Sequence, residues 1–361
     1  MPSLDDVIAA ETVLSDVDGA NGRLIIRGKP VEELARSATA ESVAALLLEG
    51  FFDDMPKGQK LATAMGAARL RLFRRLQPHL AAIASLSPVE ALRAGMALIP
   101  DGDDLDTALM LLAAPVVLTP AIIRLRRGEQ PLGPDPRASQ AADMLRMLSG
   151  VAATDAASRA LNAYLATVCE HGLNASTFAA RIAASTKAGL VSAAMAGIST
   201  LKGPLHGGAP GPVLDMLDAI GEVGKAEAWL RQALARGDRL MGFGHRIYRV
   251  RDPRADALKA ALRPLGIAGA SGGRLALAEY VERAALDVLH KEKPGRPLET
   301  NVEFYTAVLL DALDFPSDSF TCVFVAGRMP GWIAHAREQE VGGRLIRPQS
   351  RYVGPAPQQA A

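Results

Sequence analysis

Three of the chain's six histidines stand in sequence suited to presenting an imidazole to a ligand. His206 lies in Gly203-Pro-Leu-His-Gly-Gly-Ala209. Glycines directly after a histidine let backbone approach a bound molecule closely, and they would open a helix whose N-terminal N–H groups can bind an anion. His245 follows Gly242-Phe-Gly244, and His171 sits in Glu170-His-Gly-Leu-Asn-Ala-Ser176 between two helical patterns. A single histidine is more often a satisfied polar residue, and His79, His290 and His335, which lack such settings, read as structural. Glu303 is the only acid between Glu299 and Asp311 and opens a helical pattern, a place the helix dipole favours for a carboxylate whatever its chemistry.

Charge is uneven. The net charge is only +1, which gives the chain no bias towards nucleic acid or an anionic membrane. Yet from Arg231 to Arg263 nine basic residues meet only Asp238, Asp252 and Asp256. Such a stretch is either a solvated helix face or a site for a small polyanion, a phosphorylated cofactor or a dicarboxylate. Metal chemistry is disfavoured, because no HxxxH, HExxH or cysteine pair is present. Gly242-Phe-Gly244 is a poor dinucleotide fingerprint: Ile247 replaces the third glycine and no strand–glycine–helix unit surrounds it.

The elements that must carry these residues are helical. Hydrophobic residues make up 49% of the 361, enough for a large core, while aromatics are only 4% and Ala and Leu dominate. Asp18-Gly-Ala-Asn-Gly22 before Arg23-Leu-Ile-Ile-Arg27 predicts a small N-terminal β-hairpin. Helical patterns follow at Val31–Ala35, Pro88–Ile99 with Ser87 as N-cap, Ala156–Glu170, Thr177–Ala196, Lys225–Ala235, Ala255–Leu262, Gly273–Lys291 and Val302–Ala312. No βαβ alternation appears, so a doubly wound sheet is not expected. The uncharged run Thr107–Ile123 is broken by Pro115 and Pro120 and falls short of the roughly 20 residues a membrane span needs, so it reads as a buried core helix. Cys169 and Cys322 are far apart in sequence, and the acidic start Met1-Pro-Ser-Leu-Asp-Asp6 is unlike a signal peptide. Both point to reduced thiols and a cytoplasmic location.

Along nearly its whole length the chain resembles the citrate synthase family. The matching blocks are Val7-Ile-Ala-Ala-Glu-Thr12 with Asp16-Val-Asp-Gly19 and Leu24-Ile-Ile-Arg-Gly28, His171 with Asn174-Ala-Ser-Thr-Phe178, Lys202-Gly-Pro-Leu-His-Gly-Gly208, and Gly242-Phe-Gly-His-Arg-Ile-Tyr248 with Asp252-Pro-Arg254. They continue with Asn301-Val-Glu-Phe-Tyr305, Gly331-Trp-Ile-Ala-His335, and Ile346-Arg-Pro348 before Tyr352-Val-Gly354. The resemblance implies an all-α, two-domain homodimer with the active sites between the domains and completed by the partner chain. Residues 1–207 and 315–361 would form the large domain and 208–314 the small, mobile one.

The same resemblance supplies roles. His206 would stabilise the enol or enolate of the acyl group, His245 would polarise the oxaloacetate ketone, and Glu303 would remove the α-proton of the acyl-CoA. His171, Arg254, Arg328 and, from the partner subunit, Arg347 would hold the oxaloacetate carboxylates. Arg249, one helical turn past His245, would meet a coenzyme A phosphate. No tightly bound cofactor is implied; acyl-CoA is a co-substrate. Many members have Asp where this chain has Glu303, which reaches one methylene further, so backbone or acyl group must shift to suit. Acetyl-CoA is the expected acyl donor. Propionyl-CoA, giving 2-methylcitrate, is the near alternative, and a non-catalytic binding homologue is the distant one. The absence of an extra β-rich N-terminal domain, of the sort seen in hexameric NADH-inhibited relatives, suggests a plain dimer.

Overall fold

The structure is a computed structural model that describes residues 7–207, 210–266, 271–296 and 298–355. The chain enters through strands Ser15–Asp18 and Arg23–Ile26, paired antiparallel with Asp18 opposite Arg23. The turn is fixed by Asp18, whose carboxylate accepts from the backbone and side-chain nitrogens of Asn21. Sequence reading missed a third, two-residue strand, Lys29–Pro30, which pairs with the second. Leu14, Leu24 and Ile26 are fully buried, so the sheet is anchored in the core. Everything else of regular structure among the described residues is helical.

Helix Leu105–Arg126 runs through the middle of that core, with sixteen buried residues in its length. Asp104 caps it, accepting from the Thr107 N–H at 2.8 Å. Pro115 and Pro120 lie inside it. An interior proline costs about 3 kcal/mol, but each fully buried Leu, Val or Ile returns ~1.5–3 kcal/mol, and this helix buries many. It is long and apolar enough to cross a bilayer, yet it is packed against helices Gln59–Leu76, Gln140–Ser149 and Phe320–Gly342. Burial on all sides, rather than one apolar stripe, is why the pattern had no clear period.

Several expectations need correction. The predicted helix Thr177–Ala196 is two helices, Ala175–Ser185 and Leu190–Leu201, packed against each other. The break needs Lys187 at φ 60 and Gly189 at φ 96. A Cβ on Gly189 would lie 2.3 Å from an oxygen of Asp101, and that carboxylate caps the second helix by accepting from the N–H groups of Val191 and Ser192. The cap comes from a remote loop, which local periodicity cannot register. Ser87 occupies the N-cap position of Pro88–Met96 but donates its hydroxyl to Glu90 instead of accepting from backbone. Long helices at Gln59–Leu76 and Phe320–Gly342 were not anticipated.

In the second half of the chain, helices Pro210–Ile220, Ala226–Ala235, Pro253–Gly266, Ser271–Glu292 and Val302–Ala312 pack mainly on one another. Pro253–Gly266 is the exception: it packs at least as extensively on Asp155–Val168 and Val31–Ser37, tying this group to the first half. The expected domain switch at residue 208 lies outside the described residues.

Candidate active site

The sequence block around His245 and the block around Glu303 are joined by backbone. Gly244 N–H donates to the Glu299 carbonyl at 2.7 Å, Asn301 N–H donates to the Gly242 carbonyl at 2.9 Å, and Phe243 bridges Thr300. Asn301 is the N-cap of helix Val302–Ala312: its side chain accepts from the Glu303 N–H and donates to the Gly244 carbonyl at 2.8 Å. Gly242 stands at φ 85, where a Cβ would meet the Phe304 side chain at 2.7 Å. A glycine is therefore required for the two segments to lie this close.

Asp252 and Arg254 complete this half. Both are almost fully buried. Arg254 donates through Nε and Nη2 to the two carboxylate oxygens at 3.0 and 2.8 Å, the fork geometry that suits a guanidinium. Asp252 also accepts from the Val302 N–H and so caps the helix that carries Glu303. The segment from Gly242 to Asp252 is not helical; a helix starts only at Pro253. Arg249 is thus not one helical turn past His245, as the sequence reading had it.

His245 has a defined tautomer. Its Nδ1 accepts from the N–H groups of Ile247 (3.0 Å) and Tyr248 (3.1 Å), so in the neutral ring the proton is on Nε2. Arg254 Nη2 lies 3.5 Å from that Nε2. Both atoms are donors, so they converge on a place for an acceptor. His171, buried, contacts Tyr248 through Nε2 at 3.1 Å, and its ring stands 5.6 Å from that of His245. His206, half-buried in the loop after helix Leu190–Leu201, places Nε2 at 2.9 Å from Ser176 Oγ in the first turn of Ala175–Ser185. Ser176 also receives the Trp332 indole N–H at 3.3 Å and reaches Asn174 Oδ1 at 2.8 Å. Its single proton serves either Asn174 or His206. Given to His206, it places that ring's own proton on Nδ1.

Arg328 unites these groups. It is buried in helix Phe320–Gly342, donates Nε to the Val168 carbonyl at 2.6 Å, and forms no ion pair among the described residues. Its charge acts on His171, His206 and Glu303, as that of Arg254 acts on His171, His245 and Glu303. Burial first, then these cations, push His206 and His245 down to about 4 and His171 well below its ordinary value. All three imidazoles are neutral near pH 7. Glu303 goes the other way: burial raises it to about 7, against the pull of Arg254. A carboxylate poised near neutrality, within reach of the guanidinium groups that also act on the neutral imidazoles, can take up a proton while donors stabilise an oxyanion.

Of the residues read from the sequence, His171, His206, His245, Arg254, Glu303 and Arg328 share this neighbourhood. Arg249 and Arg347 are exposed and share no hydrogen bond or ion pair with it among the described residues. Sequence reading missed Tyr248 and Ser176 as site residues, and it took Asp252 only as a counter-charge. The one available signal was adjacency: Tyr248 follows His245 within one block, and Ser176 follows Asn174 within another.

Residues 3–349 match the family model described as citrate synthase, C-terminal domain. The citrate synthase of Mycolicibacterium smegmatis is 35% identical over 365 residues, covering 97% of this chain and 94% of that protein. The 2-methylcitrate synthase of Mycobacterium tuberculosis is 34% identical over 364 residues, covering 97% and 90%. Among solved structures, the ternary complex of carboxymethyl coenzyme A and oxaloacetate with citrate synthase from Thermoplasma acidophilum matches with a TM-score of 0.86 at 28% identity, over 99% of this chain and 97% of that one.

Proposed function

The chain belongs to the citrate synthase family, enzymes that condense an acyl-CoA with oxaloacetate, and on that premise we propose that it uses acetyl-CoA and releases citrate and CoA. The observation that carries the reading is the placement of Glu303 in the first turn of helix Val302–Ala312, where Arg254 and Arg328, the guanidinium groups that also act on His171, His206 and His245, reach it and burial raises it to about 7. Glu303 removes the α-proton of the thioester, and His206 donates to the thioester oxygen as the enolate forms. The convergent Nε2–H of His245 and Nη2 of Arg254 bind the ketone oxygen and hold the alkoxide that follows carbon–carbon bond formation. Arg328, Arg254 and His171 hold the carboxylates, for which a planar guanidinium fork is better suited than an ammonium. Closure of the small domain, 208–314, over the large one excludes water until the citryl thioester is made and then hydrolysed.

The protein works as a homodimer in which Arg347 reaches the partner's oxaloacetate. The exposed stretch Gly343–Pro355, with Leu345, Tyr352 and Val353 open to solvent, supports a tail that lies on a second subunit. Mixing Arg347→Ala subunits with His206→Ala subunits should restore activity, since each heterodimer holds one intact site; no recovery in demonstrated heterodimers removes the shared site. Propionyl-CoA is the second reading, favoured by the 34% identity to a 2-methylcitrate synthase. One methyl group is worth only ~1–3 kcal/mol of discrimination, so both acyl-CoAs should turn over. Thiol release from each, on adding oxaloacetate, decides the preference by the ratio of kcat/KM. A ratio favouring propionyl-CoA overturns the acetyl-CoA assignment, and no release from either overturns the reading.

A further inference from the structure

The N-terminal hairpin touches the chain on both sides of His171 and immediately after His245. Ser15 Oγ donates to Glu170 at 3.0 Å and accepts from the Gly172 N–H at 3.1 Å, so one hydroxyl grips the residues flanking His171. Two residues along the same strand, Val17 lies where a Cβ on Gly172 would meet it at 3.2 Å. At the turn, the Gly19 carbonyl accepts from the Arg249 N–H at 2.9 Å. Gly19 is flush against the same segment: a Cβ there would fall 2.4 Å from the Ile247 carbonyl oxygen, and one on Gly22 2.8 Å from Val250. The Ile247 and Tyr248 amides in this segment are those that fix Nδ1 of His245. The hairpin is itself held by the buried Leu14, Leu24 and Ile26.

We propose that this hairpin is a positioning strap for the oxaloacetate side of the site: Ser15 sets His171, and the Gly19 backbone sets the Ile247–Arg249 segment that orients His245. It rests on the functional reading above. None of these hairpin residues touches the ligand; they act through the spacing and tautomer of the two imidazoles. A shift of about 1 Å in such groups can cost ~100-fold in rate. Such a strap accounts for β-structure in an otherwise helical chain. It also accounts for glycine at position 19, where no positive φ demands one but a Cβ would meet Ile247.

Gly19→Ala should push the Ile247 segment away without altering any ligand-binding side chain. The expected result is an oxaloacetate KM raised by ~10-fold, an acyl-CoA KM within about twofold of wild type, and a cooperative unfolding transition retained. Ser15→Ala should raise the oxaloacetate KM by about threefold, and Ser15→Thr, which keeps the hydroxyl, should restore it. A second readout does not depend on turnover. In 15N-histidine-labelled protein, with the His245 signals assigned by their loss in His245→Gln, wild type should show the neutral Nε2–H form, and Gly19→Ala should show a mixture of tautomers. Wild-type His245 signals together with an unchanged oxaloacetate KM in the folded variant would overturn the strap. So would an equal loss in Arg23→Ala, an exposed residue of the same hairpin that faces Asp16. If Gly19→Ala does not fold, the Ser15→Ala and Ser15→Thr pair decides on the same criteria. If the wild type itself releases no thiol, the functional reading fails while the tautomer comparison still tests the strap.

Discussion

Arg69 and Arg328 are both buried guanidinium groups, and they are buried for opposite ends. Arg69 donates Nε to Asp143 at 2.9 Å and Nη2 to the carbonyls of Asp135 and Ala138 at 3.2 and 2.6 Å. Asp143 in turn holds the Asp135 N–H and Arg146, so charge and backbone close into one network around the loop 133–138. Among the described residues Arg328 hydrogen-bonds one carbonyl and makes no direct carboxylate contact, Glu170 acting on it only through space. A buried charge without its partner is expensive, and burial accordingly lowers the affinity of Arg328 for its proton. The contrast shows how to separate scaffold from site in a protein rich in buried ions. Where a carboxylate of the chain makes direct contact, the ion pair is structural; where the nearest one acts only through space, as Glu170 does on Arg328, the guanidinium keeps donors for the anion proposed above.

The most damaging break should come on the scaffold side. Arg69→Ala leaves Asp143 short of its buried partner and should cost ~3–5 kcal/mol by denaturant unfolding, with activity per folded molecule little changed. Loss of turnover without loss of stability would abolish the distinction. On the site side, Glu303→Gln should lower turnover by ~100-fold or more, the scale of lost general-base catalysis, and stop deuterium exchange at the acyl α-carbon in the presence of an unreactive oxaloacetate analogue. Wild-type activity should rise as pH passes upward through about 7, because only the ionised carboxylate is a base. The stability effect has the opposite sign from an ordinary ion pair. Folding raises this group from 4.5 to about 7, so its ionisation destabilises the fold progressively across that window. Glu303→Gln removes the penalty, and its melting temperature should gain on wild type from pH 4.5 to 7 and then hold a constant lead.

Arg328→Gln sharpens the contrast directly. It should raise the oxaloacetate KM by ~10–100-fold, the worth of a charge-assisted hydrogen bond of ~1.5–3 kcal/mol, without lowering stability. Unfolding of this variant to the extent seen in Arg69→Ala would place both arginines in the scaffold. The smallest effect belongs to the surface. If Arg249 meets a coenzyme A phosphate, Arg249→Ala should raise the acyl-CoA KM only a fewfold, as suits an exposed pair worth ~0.2–1 kcal/mol. That difference should fade in 0.5 M salt, where the Debye length falls to about 4 Å. An unaltered KM at low salt would remove Arg249 from the site.

How much of this was legible beforehand differs from element to element. The helix Val302–Ala312 is legible to the residue, because its apolar pattern is a local property. The hairpin turn was legible from Asp18 to Gly22 for the same reason. The break at 186–189 was not, since Asp101 supplies its cap from some ninety residues away. The three histidines and Glu303 could be singled out from glycine-bounded loops and a lone acid at a helix start, and family resemblance gave each a role.

The sequence by itself determined the helical class, the family and the candidate side chains, because propensity, capping and motif order are carried by neighbouring residues. Only the tertiary structure decided their chemical states. The depressed imidazoles of His171, His206 and His245, the raised carboxyl of Glu303 and the single-tautomer ring of His245 depend on burial and on Arg254, Arg328 and the Ile247 and Tyr248 amides. Desolvation and Coulomb energy follow distance through space, and the chain brings Arg328 and His171 together from 157 positions apart, a separation that no sequence window contains.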